Sequence, residues 1–192
     1  MKKLVFLIIS VIILITGCSN KNIIQENSVK ITPSKLFEGD TKKLEAHMDF
    51  ISSCVKVSYK GNKESIGIKY EIWKNGKKES SENLTSTSFS DGKFNGDISI
   101  SVKGIGEENK IGITAVIDYK GNLIKAKNTV ERFDKNLAYS YGQMQEGITK
   151  KDSEETVIWA VIANKSSFID LPELYDQAKK AEWALVFKVY FK

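Results

Sequence analysis

What most constrains this chain is alternation. Large apolar residues recur at every second position in run after run: Val55, Val57 and Tyr59; Ile66, Ile68, Tyr70 and Ile72; Ile98, Ile100 and Val102; then Ile111, Ile113, Ala115, Ile117 and Tyr119. Successive side chains of a strand point to opposite faces, so a period of two gives a strand buried on one face and wet on the other. Turn chemistry separates the runs at intervals of about 10 residues. It lies at Tyr59-Lys60-Gly61-Asn62, Lys74-Asn75-Gly76-Lys77, Gly104 to Glu107 and Lys120-Gly121-Asn122. Asn-Gly between alternating runs is the strongest short hairpin signal. The pattern predicts a mainly β chain, an antiparallel β-sandwich, occupying residues 29–192 as a single domain.

The outline resembles the immunoglobulin-like sandwich in architecture. The cysteine pair and central tryptophan that mark that family are absent, so the resemblance implies an arrangement of strands and no function. Ahead of the regular runs, Val29-Lys30-Ile31-Thr32 reads as a short strand stopped by Pro33, and Glu38-Gly39-Asp40 reads as a turn. Leu44, Ala46, Met48 and Phe50 alternate with Glu45, His47 and Asp49, which predicts another half-buried strand; the same letters also permit a helical face through Leu44, Met48 and Ile51. The apolar phase then slips by one, and a bulge or turn near Ile51-Ser52-Ser53 would account for it. Residues 79–91 are mostly polar and read as a strand plus a loop.

The last third has another character. Residues 137–144 read as a strand. Residues 156–163 are apolar on both faces, as a central, covered strand would be. Asp170 then caps a short helix, with Pro172 and Glu173 in its first turn and Leu174, Ala178 and Ala181 toward the core. The run 183–191 carries Trp183, Leu185, Phe187, Val189 and Phe191 on one face. It is expected to pair beside the 156–163 strand, parallel or antiparallel.

The N-terminus gives an address. Lys2 and Lys3 precede an apolar run from Leu4 to Thr16 broken only by Ser10, the layout of a secretory signal peptide. The run is shorter than the roughly 18–20 apolar residues of a membrane-spanning helix. It closes on Leu14, Ile15, Thr16, Gly17 and Cys18, which resembles the lipobox of bacterial lipoproteins, with Ile15 and Thr16 departing mildly from the preferred residues. The resemblance implies a signal peptide over 1–17 and a diacylglycerol on Cys18. It further implies a tether over 18–28 and a domain held at the extracytoplasmic face of the cell membrane. Two acyl chains anchor durably where one binds reversibly.

Composition limits the partners. Losing Lys2 and Lys3 takes the formal charge from +5 to +3, and Arg132 is the one arginine among lysines interspersed with acids. Phosphate and base-edge recognition favours the guanidinium fork, so nucleic acid is not the expected partner. An envelope protein or a cell-wall polymer is. With Cys18 lipidated, Cys54 has no cysteine to pair with, and it reads as a structural thiol.

No catalytic signature stands out, and neither a cofactor nor an enzyme activity is expected. Glu45, His47 and Asp49 would share one face of a strand and could ligate a divalent metal as part of a hydrolase. A second histidine or a cysteine ligand is missing, and a solvent face is the plainer reading. Ser53-Cys54-Val55-Lys56 and Ser90-Asp91-Gly92-Lys93 fit S-x-x-K, which works on a helix and not on a strand or turn. Asp152, Glu154 and Glu155 form an acidic loop with too few ligands for calcium. Trp73 is the aromatic of interest: alternation turns it away from Ile68, Tyr70 and Ile72, beside the Asn-Gly tip, where an exposed ring would serve binding. The alternative is that a neighbouring element packs on it. Together these features describe a lipid-anchored, non-catalytic binding, sensing or interaction module.

Overall fold

The computed structural model describes residues 26–105, 109–165 and 174–192. The signal peptide, Cys18, most of the tether and the helix-opening Asp170, Pro172 and Glu173 lie outside the described residues. The strands in chain order are β1 (Ser28–Ser34), β2 (Ile51–Lys60), β3 (Ser65–Lys74), β4 (Lys77–Ser88), β5 (Lys93–Lys103) and β6 (Lys110–Tyr119). They continue as β7 (Asn122–Glu131), β8 (Ala138–Gln143), β9 (Ile148–Lys151), β10 (Thr156–Asn164) and β11 (Trp183–Phe191). They form two antiparallel sheets, one in the order β7-β6-β5-β2-β1-β9 and the other β4-β3-β11-β10-β8. The β-sandwich read from the alternation is the fold.

Between the sheets lies one core, built from the alternating residues: Ile66, Ile68 and Tyr70 of β3, Ile98 and Ile100 of β5, Ile111 to Ile117 of β6, and Trp159, Leu185 and Phe187. Tyr59, Phe89, Phe94 and Phe191 close one end of it as a ring cluster. Two hairpins have the two-residue turns that the twist of paired strands favours. Asn75 and Gly76 have φ of 48° and 74°, and Lys120 and Gly121 have 53° and 79°.

Strands β10 and β11 pair antiparallel, with Ile158 as an extra residue where the register shifts between Val157 and Trp159. That bulge lets the consecutive Ile158 and Trp159 both enter the core. A second apolar cluster lies on the outer face of the same sheet. There the short helix α2 (Leu174–Ala178) packs Leu174 and Ala178 against Ala160, Ile162, Ala184 and Val186. The helix before the last strand is therefore where the sequence reading put it, and β10 and β11 are covered on both faces.

Three expectations are corrected. Pro33 does not stop β1: it pairs with Val55 inside the strand, beyond Ile31 where β9 ends, so its missing N–H falls on a free edge. Residues 44–50 are not a strand. A 3-10 turn (Gly39–Thr41) runs into the single-turn helix α1 (Lys42–Glu45), and no residue from 46 to 50 is in a strand. The phase slip near Ile51 needs no bulge, because the register of β2 on β5 is continuous from Ile51 to Lys60. The slip marks the place where the connection ends and β2 begins.

Chain 138–151 closes one side of the sandwich in two halves. Its first half, β8, pairs with β10 in one sheet; it then crosses over, and β9 pairs with β1 in the other. Sandwich corners are commonly made by strands that change sheets in this way. Beside β8, Ser34 at the end of β1, the connection that follows it and Gln143 line a recess.

Candidate functional site

Trp73 is not exposed. It is 8% accessible, stands edge-on to the Tyr175 ring of α2 at 5.7 Å and 89°, and its Nε1 donates to Glu71 Oε2 at 3.0 Å. The neighbouring element that packs on it is α2. Glu71, which alternation places on the wet face of β3, is 1% accessible beneath the same helix. Its Oε1 accepts from Lys188 Nζ at 2.9 Å and from Lys78 Nζ at 3.4 Å. Lys188 Nζ also lies 3.7 Å from Glu155 and 4.2 Å from the centre of the Tyr175 ring. Burial pushes Glu71 up, but the Lys188 ammonium, with Trp73 and Lys78, outweighs it and holds the carboxyl below its ordinary value. Burial likewise pushes Lys188 down, and Glu71 and Tyr175 outweigh that and hold the ammonium high. This is a satisfied charge pair under a helix, and its groups serve one another. The signal for it was Lys188 itself, a lone charge in the run Trp-Ala-Leu-Val-Phe-Lys-Val-Tyr-Phe, which must find a counter-ion if both faces are covered.

The acidic loop is similarly engaged. Asp152 accepts from Tyr59 Oη at 2.8 Å, Glu155 pairs with Lys69 at 2.8 Å, and Glu154 with Lys150 at 3.8 Å. Tyr59 Oη in turn accepts from the Lys63 amide at 2.8 Å, and burial pushes its pKa up to about 12.

The connection between β1 and β2 is a more open surface. Two antiparallel neighbours can be joined by a two-residue turn, yet here residues 35–50 intervene. Hairpin loops are mostly about two to five residues long, so this connection is an insertion with helical turns of its own. Phe37 and Phe50, with ring centres 6.2 Å apart, clasp its base, and residues 38–49 are all exposed. At its N-terminal turn Thr41 Oγ1 accepts from the Glu38 amide at 3.1 Å. Leu36, Leu44 and Met48 stand on it at 42–51% accessibility, half of the exposed large hydrophobic residues described. Glu45, His47 and Asp49 lie on this lobe as well. With no strand there, the alternation that would align them on one face is gone, and no group of three such ligands converges among the described residues.

Between the lobe and the sandwich is a recess of about 200 Å³, lined by Leu36, Phe37, Glu45, Ser53, Cys54 and Gln143 among others. Ser53 Oγ donates to Gln143 Oε1 at 3.1 Å and so ties β2 to β8. Ser53 is buried and Lys56 exposed, so this S-x-x-K has its two polar groups in different environments. Cys54 is buried, and burial, with the Asp97 charge, pushes its thiol to about 11. A thiol held protonated is a poor nucleophile.

Gln143 leads from the recess onto β8, where Tyr139 and Tyr141 are 42% and 50% accessible. They oppose Ala163 and Val161 of β10, both core residues. Directly opposed residues share a face, so these tyrosines sit on the core side of their sheet at its open margin. The sequence carried a sign of this in two aromatics spaced by two without a charge between them. Among the described residues, no helix is long and apolar enough to cross a membrane. In comparisons with known proteins, no family model, no curated protein and no solved structure matches this chain.

Proposed function

We propose that this chain is a lipid-anchored, extracytoplasmic, non-catalytic interaction module, and that the lobe 35–50 is the element that holds a protein partner of the cell envelope. The lobe carries the proposal: a long connection, exposed throughout its middle, that presents Leu36, Leu44 and Met48 to solvent where a short turn would have sufficed. Exposed apolar side chains clustered on one projecting element mark interaction surfaces. The anchor rests on the signal-peptide pattern and Cys18.

The two readings fit together in space. The tether of 18–28 leads into β1, whose Asn27 end is bonded to Lys60, and the lobe begins at the other end of the same strand. Seven residues at about 3.3 Å each place it roughly 20 Å further from the tether. A domain held by Cys18 would carry the lobe at the end of its first strand that is farther from the tether.

Two measurements test this. A photo-crosslinking residue in place of Met48 in the full chain is expected to join one envelope protein in cells, and Leu44→Asp in the same chain to abolish that adduct while leaving the fold intact. No adduct, or one indifferent to Leu44→Asp, refutes the lobe. Cys18→Ala is expected to release the chain from the membrane fraction; unchanged partitioning into detergent refutes the anchor.

A further inference from the structure

The sandwich has four sheet edges, and three are guarded. β7 carries Lys125 and Lys127, β4 carries Lys78 and Glu82, and β9 carries Lys150 and Lys151. Charges on an edge strand are a standard defence against the addition of another strand. β8 reads Ala-Tyr-Ser-Tyr-Gly-Gln, with no charge, no proline and no shift in its register on β10. Among the described residues nothing pairs with its outer edge.

We propose that β8 pairs antiparallel with β8 of a second copy of this chain, about a two-fold axis that passes between the two Ser140 residues and joins the five-stranded sheets into one of ten strands. The strand is complementary to itself in this register. Tyr139 falls opposite Tyr141 of the second copy, and Tyr141 opposite its Tyr139, so aromatic meets aromatic on the core side. On the other side Ala138 falls opposite Gly142, small against small. Ser140 meets its own copy. No like charges meet anywhere along the strand. A two-fold contact of this kind closes on itself and uses up both β8 edges.

A strand of six residues spans only about 20 Å, so the contact is short. Confinement of anchored copies to a membrane raises their effective concentration, and the full chain in its membrane is therefore the form to test. Facing residues of an antiparallel pair have Cα atoms about 4.5–5.5 Å apart, within reach of a disulfide. Co-expressing full-length chains bearing Tyr139→Cys and Tyr141→Cys, followed by mild oxidation of the membranes, is expected to give a covalent dimer at least tenfold more abundant than either chain gives alone. Both positions are exposed, so the substitutions spare the core. Tyr139→Lys/Tyr141→Lys, which sets lysine against lysine across the axis, is expected to reduce by at least tenfold the dimer trapped by a photo-crosslinking residue in place of the exposed Ala138. Equal dimer from the mixed and the single chains overturns the proposal. So does a photo-adduct from position 138 with a different protein, which would assign the edge to a foreign strand.

Discussion

Lys188→Met is the substitution with the most to say about this fold. It removes the ammonium 2.9 Å from Glu71 and leaves a carboxylate 1% accessible with Trp73 Nε1 at 3.0 Å and the half-exposed Lys78 at 3.4 Å. Breaking a buried ion pair on one side costs about 3–5 kcal/mol. Two partners remain, so the lower figure applies, about 3 kcal/mol, which corresponds to a fall in Tm of about 6–12 °C for a domain of this size. Adding Glu71→Gln removes the stranded charge and keeps an acceptor for Trp73, so the double variant should recover most of the loss. The pH dependence has a definite sign. In the parent, Glu71 is held below its ordinary value, so its contribution is present above the unfolded carboxylate range and is lost as pH falls through the folded value. Lys188 is held high, and its contribution is lost only as pH rises beyond the ordinary lysine range. In Lys188→Met the largest counterweight to the burial of Glu71 is gone, its carboxyl rises from where the parent holds it, and protonation relieves part of the penalty. The gap in Tm between parent and variant should therefore narrow from pH 7 toward pH 4, read by calorimetry or circular dichroism. A gap under about 2 °C at pH 7, less than a single kcal/mol would give, or one that ignores pH, refutes this account of the pair.

The remaining predictions concern smaller features. Cys54, buried and raised to about 11, should resist an aromatic disulfide reagent at pH 8 in the native protein and react within minutes once denaturant is added; rapid native reaction would mean that the recess opens. Gly76→Ala should cost more than Gly121→Ala in urea titrations. Both glycines have positive φ, worth about 1 kcal/mol, but a β-carbon at Gly76 would come within 2.5 Å of the Lys179 carbonyl oxygen, whereas one at Gly121 meets nothing. Equal costs would show that the contact with the chain after α2 carries no load.

The sheets were legible because their signal is local. Ile111 to Tyr119 alternate without a break, and two-residue turns at Asn75-Gly76 and Lys120-Gly121 fix their hairpins wherever the chain later packs. The errors arose where an identical pattern has two solutions. Leu44 to Phe50 satisfies a period of two, but a strand also needs a neighbour to bond with, and the connection projects beyond the sheet. Trp73 and Glu71 were misplaced for the opposite reason. Alternation tells which residues share a face, but whether that face is wet depends on α2, more than 100 residues further along. Pro33 shows the same dependence, since a proline stops a strand only where its nitrogen meets a neighbour. The uncharged edge at β8 was written in its six letters, but its meaning required the knowledge that β8 is an edge.

β11 runs down the middle of its sheet, bonded to β3 on one side and β10 on the other, and it follows both in the chain. The β3–β4 hairpin can form early, yet its open flank waits for a partner made more than 100 residues later. Glu71 stays in water until Lys188 arrives opposite its own strand. A slip of β11 by one residue would carry the ammonium into the core, so the pair also proofreads the docking of the strand. All six strands of the other sheet end by Lys151 in the chain, whereas the five-stranded sheet, and with it the core between the two, can close only when the last strand comes into reach.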